Sequence, residues 1–270
     1  MTREKYETFG SKRNPVNKQS KLWRYLNFEK FAWLIEKECL YHARLDLLGD
    51  QFEGSVTKQY ANLRNSGKIH GYMSDPSMEE INNRRRLYIN FVSCWHKSET
   101  ESPAMWKLYS NEHEGIAIVT SFEKLKMATD TSSSDYALLG PVEYFDFEND
   151  DMSLEFGRMG RIGYSKRKEF LHEQEIRAMV TKDVYPKNMK DINSENHISH
   201  LKETQPNGVQ IPVNLKELIS EIIVSPKCEE SFFDLIKTYL YKNELSDLVK
   251  KSNLSGLLHI LTVPELLCRK

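Results

Sequence analysis

Two carboxylates, Glu173 and Glu175, stand two residues apart at the start of an apolar segment. In a strand, side chains at that spacing point to one face, where two negative charges repel unless a cation or a ligand compensates them. Arg177, two residues further on, would supply that cation. We therefore treat Glu175 and Glu173 as candidate catalytic groups. The alternative is a structural ion pair between Glu175 and either Arg177 or Arg24.

A second set of residues has the chemistry to hold a nucleotide. A guanidinium grips a pyrophosphate in a forked geometry that lysine lacks, and aromatic rings form walls for planar groups. The candidate binding residues are Arg24, Tyr41, Arg44, Ser93, Trp95, His96, Trp106 and Tyr109. Structural alternatives stay open: Arg24 could stack on neighbouring aromatic rings, His96 could be a hydrogen-bonded structural histidine, and the tryptophans could belong to the core.

The composition narrows the function classes. Of the 270 residues 39 % are hydrophobic, enough for a sizeable core, and the formal net charge of −1 gives no global field that would recruit a polyanion. Four cysteines without CxxC spacing favour reduced thiols over a zinc site, so we expect no metal. The N-terminal segment is polar, and no apolar run approaches the about 20 residues of a membrane span. A cytoplasmic location without membrane contact is expected.

The chain is predicted to divide into a mobile basic arm over residues 1–20 and a single α+β domain over 21–270. Strand and helix patterns alternate irregularly with short loops, which favours one mixed, mainly antiparallel sheet or two such sheets flanked by helices. The polar segment 183–208, which contains two prolines, is predicted to be an irregular, flexible excursion.

Caps and periodicity predict the elements that position the candidate residues. Asn27 should cap a helix that follows an opening strand, and Ser102 with Pro103 should begin another helix. Ser121 should cap a third. Alternating or buried apolar patterns predict strands at 22–26, 39–43, 90–96, 115–120, 141–147 and 175–181. The stretch 164–172 is predicted to be helical.

Several motifs together resemble a known family. They are LWRY at 22–25, LYHARLDLLGDQFEG at 40–54, FVSCWH at 91–96, ESPAMWKLYS at 101–110, GIAI at 115–118 and KRKEFLHEQEIRA at 166–178. In this order they are similar to the bacterial domain-of-unknown-function family numbered 2971, over roughly residues 22–254. The family name implies no activity.

A second resemblance implies a mechanism. An arginine on the first strand, Arg24, followed much later by Glu173-Gln174-Glu175 leading into a strand, is similar to the layout of ADP-ribosyltransferases. Ser93 is the nearest candidate for that superfamily's Ser-Thr-Ser strand. The resemblance implies an ADP-ribosyltransferase-like fold and NAD as cofactor, with Arg24 on the dinucleotide phosphates and Glu175 on the nicotinamide ribose.

Three functions remain open from the sequence. The first is a nucleotide-handling enzyme, an NAD-consuming ADP-ribosyltransferase or glycohydrolase acting on a nucleic-acid or protein target. The second is a non-catalytic domain that binds or senses a nucleotide or nucleic acid. The third is a nuclease with magnesium held by Asp46, Asp50, Glu53 and Glu175. The first requires Arg24, part of the 93–109 segment and Glu175 to share one concave site.

Overall fold

The computed structural model describes residues 7–8, 15–69, 75–128, 136–152, 161–182, 184–186, 188, 191–192 and 194–255. The strands are β1 (Glu7–Thr8), β2 (Lys21–Asn27), β3 (Cys39–Arg44), β4 (Asn90–Lys97), β5 (Gly115–Ser121), β6 (Tyr136–Pro141), β7 (Glu143–Phe145), β8 (Ser165–Arg167), β9 (Glu175–Thr181), β10 (Gly208–Pro212), β11 (Glu221–Val224) and β12 (Val249–Lys251). The helices are α1 (Phe28–Lys37), α2 (Lys58–Asn65), α3 (Pro76–Ile89), α4 (Pro103–Tyr109), α5 (Phe122–Ala128), α6 (Glu195–Thr204), α7 (Leu215–Leu218) and α8 (Glu230–Leu240).

The strands form one large mixed sheet with the order β1-β6-β9-β4-β2-β5-β11-β12, to which β3 and β10 are attached at β4. Only β1 with β6 and β11 with β12 pair in parallel within this sheet, and its other pairs among the described residues are antiparallel. A separate parallel pair joins β7 to β8. The predicted α+β class with a mixed, mainly antiparallel sheet is confirmed.

The sheet forks at β4. On one edge of β4, strand β2 pairs through Trp23 opposite His96, and strand β3 pairs through Ala43 opposite Val92. The two strands leave β4 around its segment 93–95, and each continues on its outer edge against a different partner, β5 or β10. Backbone pairing is therefore missing inside the fork, and side chains must fill the gap.

The main core lies on the face of the sheet that α1 and α8 cover. Alternation along the strands sends Leu22, Leu26, Phe91, Trp95 and Ile176 into this core. The intervening residues of β2 point the other way, where Trp23 and Tyr25 pack with α4 in a smaller cluster. Polar groups at the centre of the sheet must therefore be satisfied between two apolar layers.

Local capping explains where the helices near the fork begin. The Asn27 side chain accepts a hydrogen bond from the Lys30 amide, and the Ser102 side chain accepts one from the Met105 amide. Pro103 occupies the first turn of α4. These caps, like the strands predicted at 22–26, 39–43, 90–96, 115–120 and 175–181, are confirmed to within two residues at each end.

Two local predictions are wrong. Within 183–208 the chain forms α6, whose start is capped by Ser194 and whose apolar side buries Ile198 and Leu201. Polar residues on its solvent side hid this periodicity. The predicted helix over 164–172 is instead strand β8 followed by a 3₁₀ segment, Lys168–Glu173. The single strand predicted over 141–147 is divided between β6 and β7.

Within the predicted N-terminal arm, the described residues contact the rest of the chain. Strand β1 pairs with β6, and Val16 packs against the main core. The Lys97 ammonium donates a hydrogen bond to the Pro15 carbonyl. No helix among the described residues has the length and apolar character needed to cross a membrane.

Candidate functional site

A cavity of about 670 Å³ opens at the fork, bounded by β2, β3, β4 and α1, with residues of α4, β8 and β9 completing its wall. We call it the fork cavity. The residues proposed from the sequence that line it are Arg24, Tyr41, Trp95, His96, Tyr109, Glu173 and Glu175. Arg24, part of the 93–109 segment and Glu175 all line this cavity. Strand alternation places Arg24 on the face of the sheet that carries the main core and Glu175 on the opposite face, so the two reach the cavity from different sides of the fork.

Arg24 crosses the fork. Its guanidinium donates hydrogen bonds to the Ser93 hydroxyl at 2.6 Å and to the Tyr41 carbonyl at 3.1 Å, so it links β4 with β3 where strand pairing is missing. It also lies over the Trp95 ring, 5.6 Å from the centroid. Desolvation lowers the pKa of Arg24 to about 10. Among the described residues no carboxylate forms an ion pair with it.

Glu175 faces the cavity from the first position of β9 and is 5 % exposed. Its Oε2 accepts a hydrogen bond from Arg177 at 3.0 Å and lies 3.5 Å from the Lys166 ammonium. Burial alone would raise the pKa of this carboxyl, but the charges of Arg177 and Lys166 outweigh burial and lower the pKa to about 2. Glu175 is therefore an ionised carboxylate on the cavity wall with its charge compensated.

Glu173 lies at the end of the 3₁₀ segment that precedes β9. Its two oxygens accept hydrogen bonds from the Tyr109 hydroxyl, at 2.7 Å, and from the Lys166 ammonium. Gln174, which joins the two acids, adopts a left-handed conformation with φ of 41°. Burial and the bond to Glu173 raise the pKa of Tyr109, so that phenol stays protonated as a donor. Lys166 thus bridges the two carboxylates whose mutual repulsion the sequence indicated.

Arg177 is fully buried and is held from two sides. It donates a forked pair of hydrogen bonds to Glu53, at 2.7 and 2.9 Å, and further bonds to Glu175 and to the Gly163 carbonyl. Burial alone would lower the pKa of Arg177, but the carboxylates of Glu175 and Glu53 raise it well above its ordinary value. The structural ion pair that the sequence left open as an alternative is present, and Glu53 shares it.

The loop that carries Glu53 is fastened to the same wall. Asp50 on this loop accepts hydrogen bonds from Arg167, with the nearest contact at 2.8 Å. Gly54 has φ of +75°, and a Cβ there would lie 2.4 Å from the Leu87 side chain. The loop geometry therefore favours glycine beside the acid that orients Arg177.

Three residues proposed from the sequence lie outside the cavity lining. Arg44 points at Asp46 in a forked pair at 2.6 and 3.1 Å and donates to the Gln205 carbonyl, so its guanidinium edges are occupied. Trp106 packs edge-on against Tyr25 in the smaller core cluster. Ser93 supports Arg24 from behind, accepting its hydrogen bond.

Two contacts of the cavity wall had no local signal in the sequence. Lys166 stands in the 166–178 motif and Glu53 among the acids of the nuclease alternative, yet nothing in their spacing indicates that one joins Glu173 to Glu175 and the other holds Arg177. Both contacts depend on the loop 48–54 and on β8 being brought against β9 by tertiary packing. Residues 164–177 carry four Lys or Arg and three Glu, so charge alone does not show which cation meets the acid pair.

The acids of the nuclease alternative do not converge. Asp46, Asp50 and Glu53 are held by three different arginines. Among the residues that the structure describes, no group of three or more His, Cys, Asp or Glu side chains could hold a metal ion. Cys39, Cys94 and Cys228 are free thiols, and Cys268 lies outside the described residues.

The model of the family described as "Protein of unknown function (DUF2971)" matches residues 105–178. The match confirms over this segment the family resemblance inferred from the motifs, and the segment includes Tyr109, Lys166, Glu173, Glu175 and Arg177. No curated protein and no solved structure matches the chain.

Proposed function

We propose that the chain handles a nucleotide, which it binds in the fork cavity with Arg24 on the phosphate groups. The observation that carries this proposal is that no described carboxylate pairs with the Arg24 guanidinium. The Arg24 side chain lines a cavity and is half-buried, desolvation lowers its pKa, and it has no carboxylate partner among the described residues. A cation in that position is stabilised by a bound anion, and arginine suits the forked acceptor geometry of phosphate.

The rest of the cavity suits the remainder of a nucleotide. Its volume of about 670 Å³ lies inside the range of sites for small molecules and cofactors, about 300–1,000 Å³. Aromatic side chains on several elements line it, namely Trp23, Tyr25, Trp33, Tyr41, Trp95 and Tyr109. Of these, Trp33, Tyr41 and Tyr109 are half-buried or exposed and can provide stacking surface for a base or a nicotinamide, whereas the other three rings belong to the core.

The binding proposal is tested with ligands that differ only in phosphate. ADP and adenosine are titrated calorimetrically into the wild type and into Arg24→Gln. We expect ADP to bind the wild type at least about tenfold more tightly than adenosine, and Arg24→Gln to lose that preference. Arg84→Gln is the matched control, because Arg84 pairs with Glu195 outside the cavity. Equal ADP affinity in wild type and Arg24→Gln, or no binding at all, contradicts the proposal.

A second candidate is cleavage of NAD in the same cavity. It is favoured by the ionised Glu175 carboxylate on the wall that also holds Tyr109. In this reaction the bond from ribose C1′ to the nicotinamide nitrogen breaks, and its electron pair leaves with nicotinamide. The ribose gains oxocarbenium character, which a nearby carboxylate stabilises. Water, or a nucleophile on a nucleic acid or protein, then adds at C1′ and loses its proton.

Nicotinamide release separates this reaction from simple binding. The protein is incubated with NAD alone and with DNA, RNA or protein as acceptor. If Glu175 acts on the ribose, Glu175→Gln should lower the rate of release about 10²-fold with the fold intact. A variant destabilised on the order of 3 kcal/mol with normal specific activity would make Glu175 a purely structural group. Binding of NAD without release in any arm would favour the non-catalytic sensing function.

A further inference from the structure

The His96 ring is fixed in one tautomer by the backbone. Its Nδ1 lies 2.6 Å from the Glu173 carbonyl oxygen. A carbonyl oxygen only accepts, so Nδ1 carries the proton and donates it to this bond. In the neutral ring Nε2 is then an unprotonated acceptor. The same hydrogen bond sets the orientation of the ring against the segment that carries Glu173.

The other nitrogen of His96 faces no protein partner. His96 is 6 % exposed and lines the fork cavity. No hydrogen bond from another described residue reaches Nε2, and Nε2 is not among the enclosed polar atoms that lack a partner. Its lone pair is therefore available to a group inside the cavity, while the rest of the ring is buried.

The surroundings of His96 keep it neutral near pH 7. Burial lowers its pKa, which the bond to the Glu173 carbonyl and the Glu173 charge partly oppose. Glu175 lies opposite it on β9, and the nearest ring on β2, that of Tyr25, is uncharged with its centroid 6.3 Å away. The exposed His172 acts in the same direction as burial.

The remaining charged and titratable groups around the ring come from three elements. Tyr109 on α4 and Lys166 on β8 both bond to Glu173, and Lys21 on β2 lies over the neighbouring Trp23 ring. None of them supplies a donor to Nε2. The acceptor is thus pre-oriented, open to the cavity and unused by the described residues.

We propose that His96 Nε2 is the acceptor that selects, within the proposed nucleotide site, a ligand carrying an O–H or N–H donor. A ligand that fills the cavity removes Nε2 from water, so an analogue that lacks the donor leaves this rigid acceptor unsatisfied and is discriminated against. Arg24 then recognises the anionic part of the ligand and His96 a neutral donor. The donor on a nucleotide is either a ribose hydroxyl or an exocyclic amine of the base.

Two variants separate this role from a structural one. In His96→Asn the amide nitrogen can keep the bond to the Glu173 carbonyl, but nothing reaches the position of Nε2. In His96→Gln the longer side chain can place an amide oxygen near the position of Nε2, but the bond to Glu173 is lost. A ligand role predicts that Asn folds normally and loses about tenfold or more in ADP affinity, and that Gln recovers part of it. If His96 has only a structural role, His96→Gln should be less stable to heat than His96→Asn, because only His96→Gln loses the bond to the Glu173 carbonyl. In that case His96→Asn should bind ADP with the affinity of the wild type.

Comparing ADP with analogues that each lack one group identifies which group of the nucleotide donates to His96 Nε2. ADP is compared with its 2′-deoxy and 3′-deoxy forms and with purine riboside diphosphate, which lacks the exocyclic amine. One of these should lose about tenfold in affinity for the wild type and nothing for His96→Asn. If ADP binds but every analogue binds the wild type equally well, the selection by His96 is overturned and the nucleotide site stands. If ADP does not bind, the proposed function itself fails.

The dependence of affinity on pH gives an independent readout. Protonation of Nε2 turns the acceptor into a donor, so ADP affinity of the wild type should fall as pH drops from about 8 to about 5. In His96→Asn this fall should be reduced to the part contributed by His172 and by the phosphate groups of the ligand. Identical profiles for the two proteins would overturn the proposal.

Discussion

Two strand arginines, one lining the fork cavity and one buried behind its wall, are in opposite electrostatic states. Arg177 on β9 is completely buried and is bound by Glu53 and Glu175. Arg24 on β2 is bound only by uncharged acceptors, the hydroxyl of Ser93 and the carbonyl of Tyr41. The pKa of Arg177 is raised and that of Arg24 is lowered. Both are arginines on strands, yet Arg177 stabilises the fold through two ion pairs, whereas the charge of Arg24 is paired with no described carboxylate.

The difference indicates that the counter-ion decides which role a strand arginine can take. A paired arginine cannot leave its carboxylates without a large cost, whereas an arginine held by neutral acceptors can also bind an incoming anion. The comparison gives four graded predictions for the two walls of the cavity.

The largest effect is expected for Arg177→Gln. The substitution leaves Glu53 and Glu175 buried without their common cation, so the free energy of unfolding should fall by about 3–5 kcal/mol. Urea denaturation followed by tryptophan fluorescence measures this. A loss below about 1 kcal/mol would show that Lys166 or solvent can take over, and the contrast between the arginines would disappear.

Acid should lower the stability of the protein by protonating Glu175, the carboxylate that pairs with Arg177. Because its folded pKa is depressed from an ordinary 4.5 to about 2, its ionisation contributes stability that is fully present above pH 4.5 and is lost as pH falls toward 2. Urea unfolding at several pH values in this window should show a shallower decline for Glu175→Gln than for the wild type. Parallel declines would assign acid sensitivity to other carboxylates.

A smaller loss of stability is expected for Arg24→Gln, about 1–2 kcal/mol. The substitution removes two hydrogen bonds from a charged donor but leaves no unpaired buried charge. Arg24→Gln should affect ADP affinity more than it affects the free energy of unfolding. Should Arg24→Gln unfold as readily as Arg177→Gln, the role of Arg24 would be to close the fork, and the anion site would lose its support.

The smallest effect is expected for Arg84→Gln on the outer surface. Its side chain and that of Glu195 are about half exposed, at 46 % and 60 %, so breaking their pair should cost at most about 1 kcal/mol. Thermal unfolding measures the change. This variant calibrates the cost of the substitution itself. A loss like that of Arg177→Gln would mean that burial does not set the ranking.

Elements fixed by local chemistry could be predicted from the sequence. Asn27 and Ser102 mark the starts of their helices because a side-chain acceptor satisfies the first free backbone amides. Strand β9 was predictable because Ile176, Ala178 and Val180 stand two residues apart and suit one face of a strand. Arg24 and Glu175 both line the fork cavity, from opposite faces of the sheet, and their roles in binding or catalysis stay predictions.

Contacts made by tertiary packing could not be predicted. Arg44 was proposed as a phosphate ligand because its residue type fits, but its guanidinium forms an ion pair with Asp46, two residues away. The pairing of Glu53 with Arg177 spans 124 positions, and no local pattern encodes a partner at that distance. Helix α6 was missed for a different reason, since only two of its three buried positions, Ile198 and Leu201, are apolar and the third is His197.

The fork in the sheet has a consequence for backbone exchange. Between Val92 and His96, the edge of β4 toward β2 and β3 is bridged by the Arg24 side chain instead of a continuous ladder of strand hydrogen bonds. Amides along such an interrupted edge open at lower free energy than those of a strand paired on both sides. Deuterium uptake in β4 should therefore report directly on whatever fills the fork, even when the ligand causes no change in the rest of the sheet.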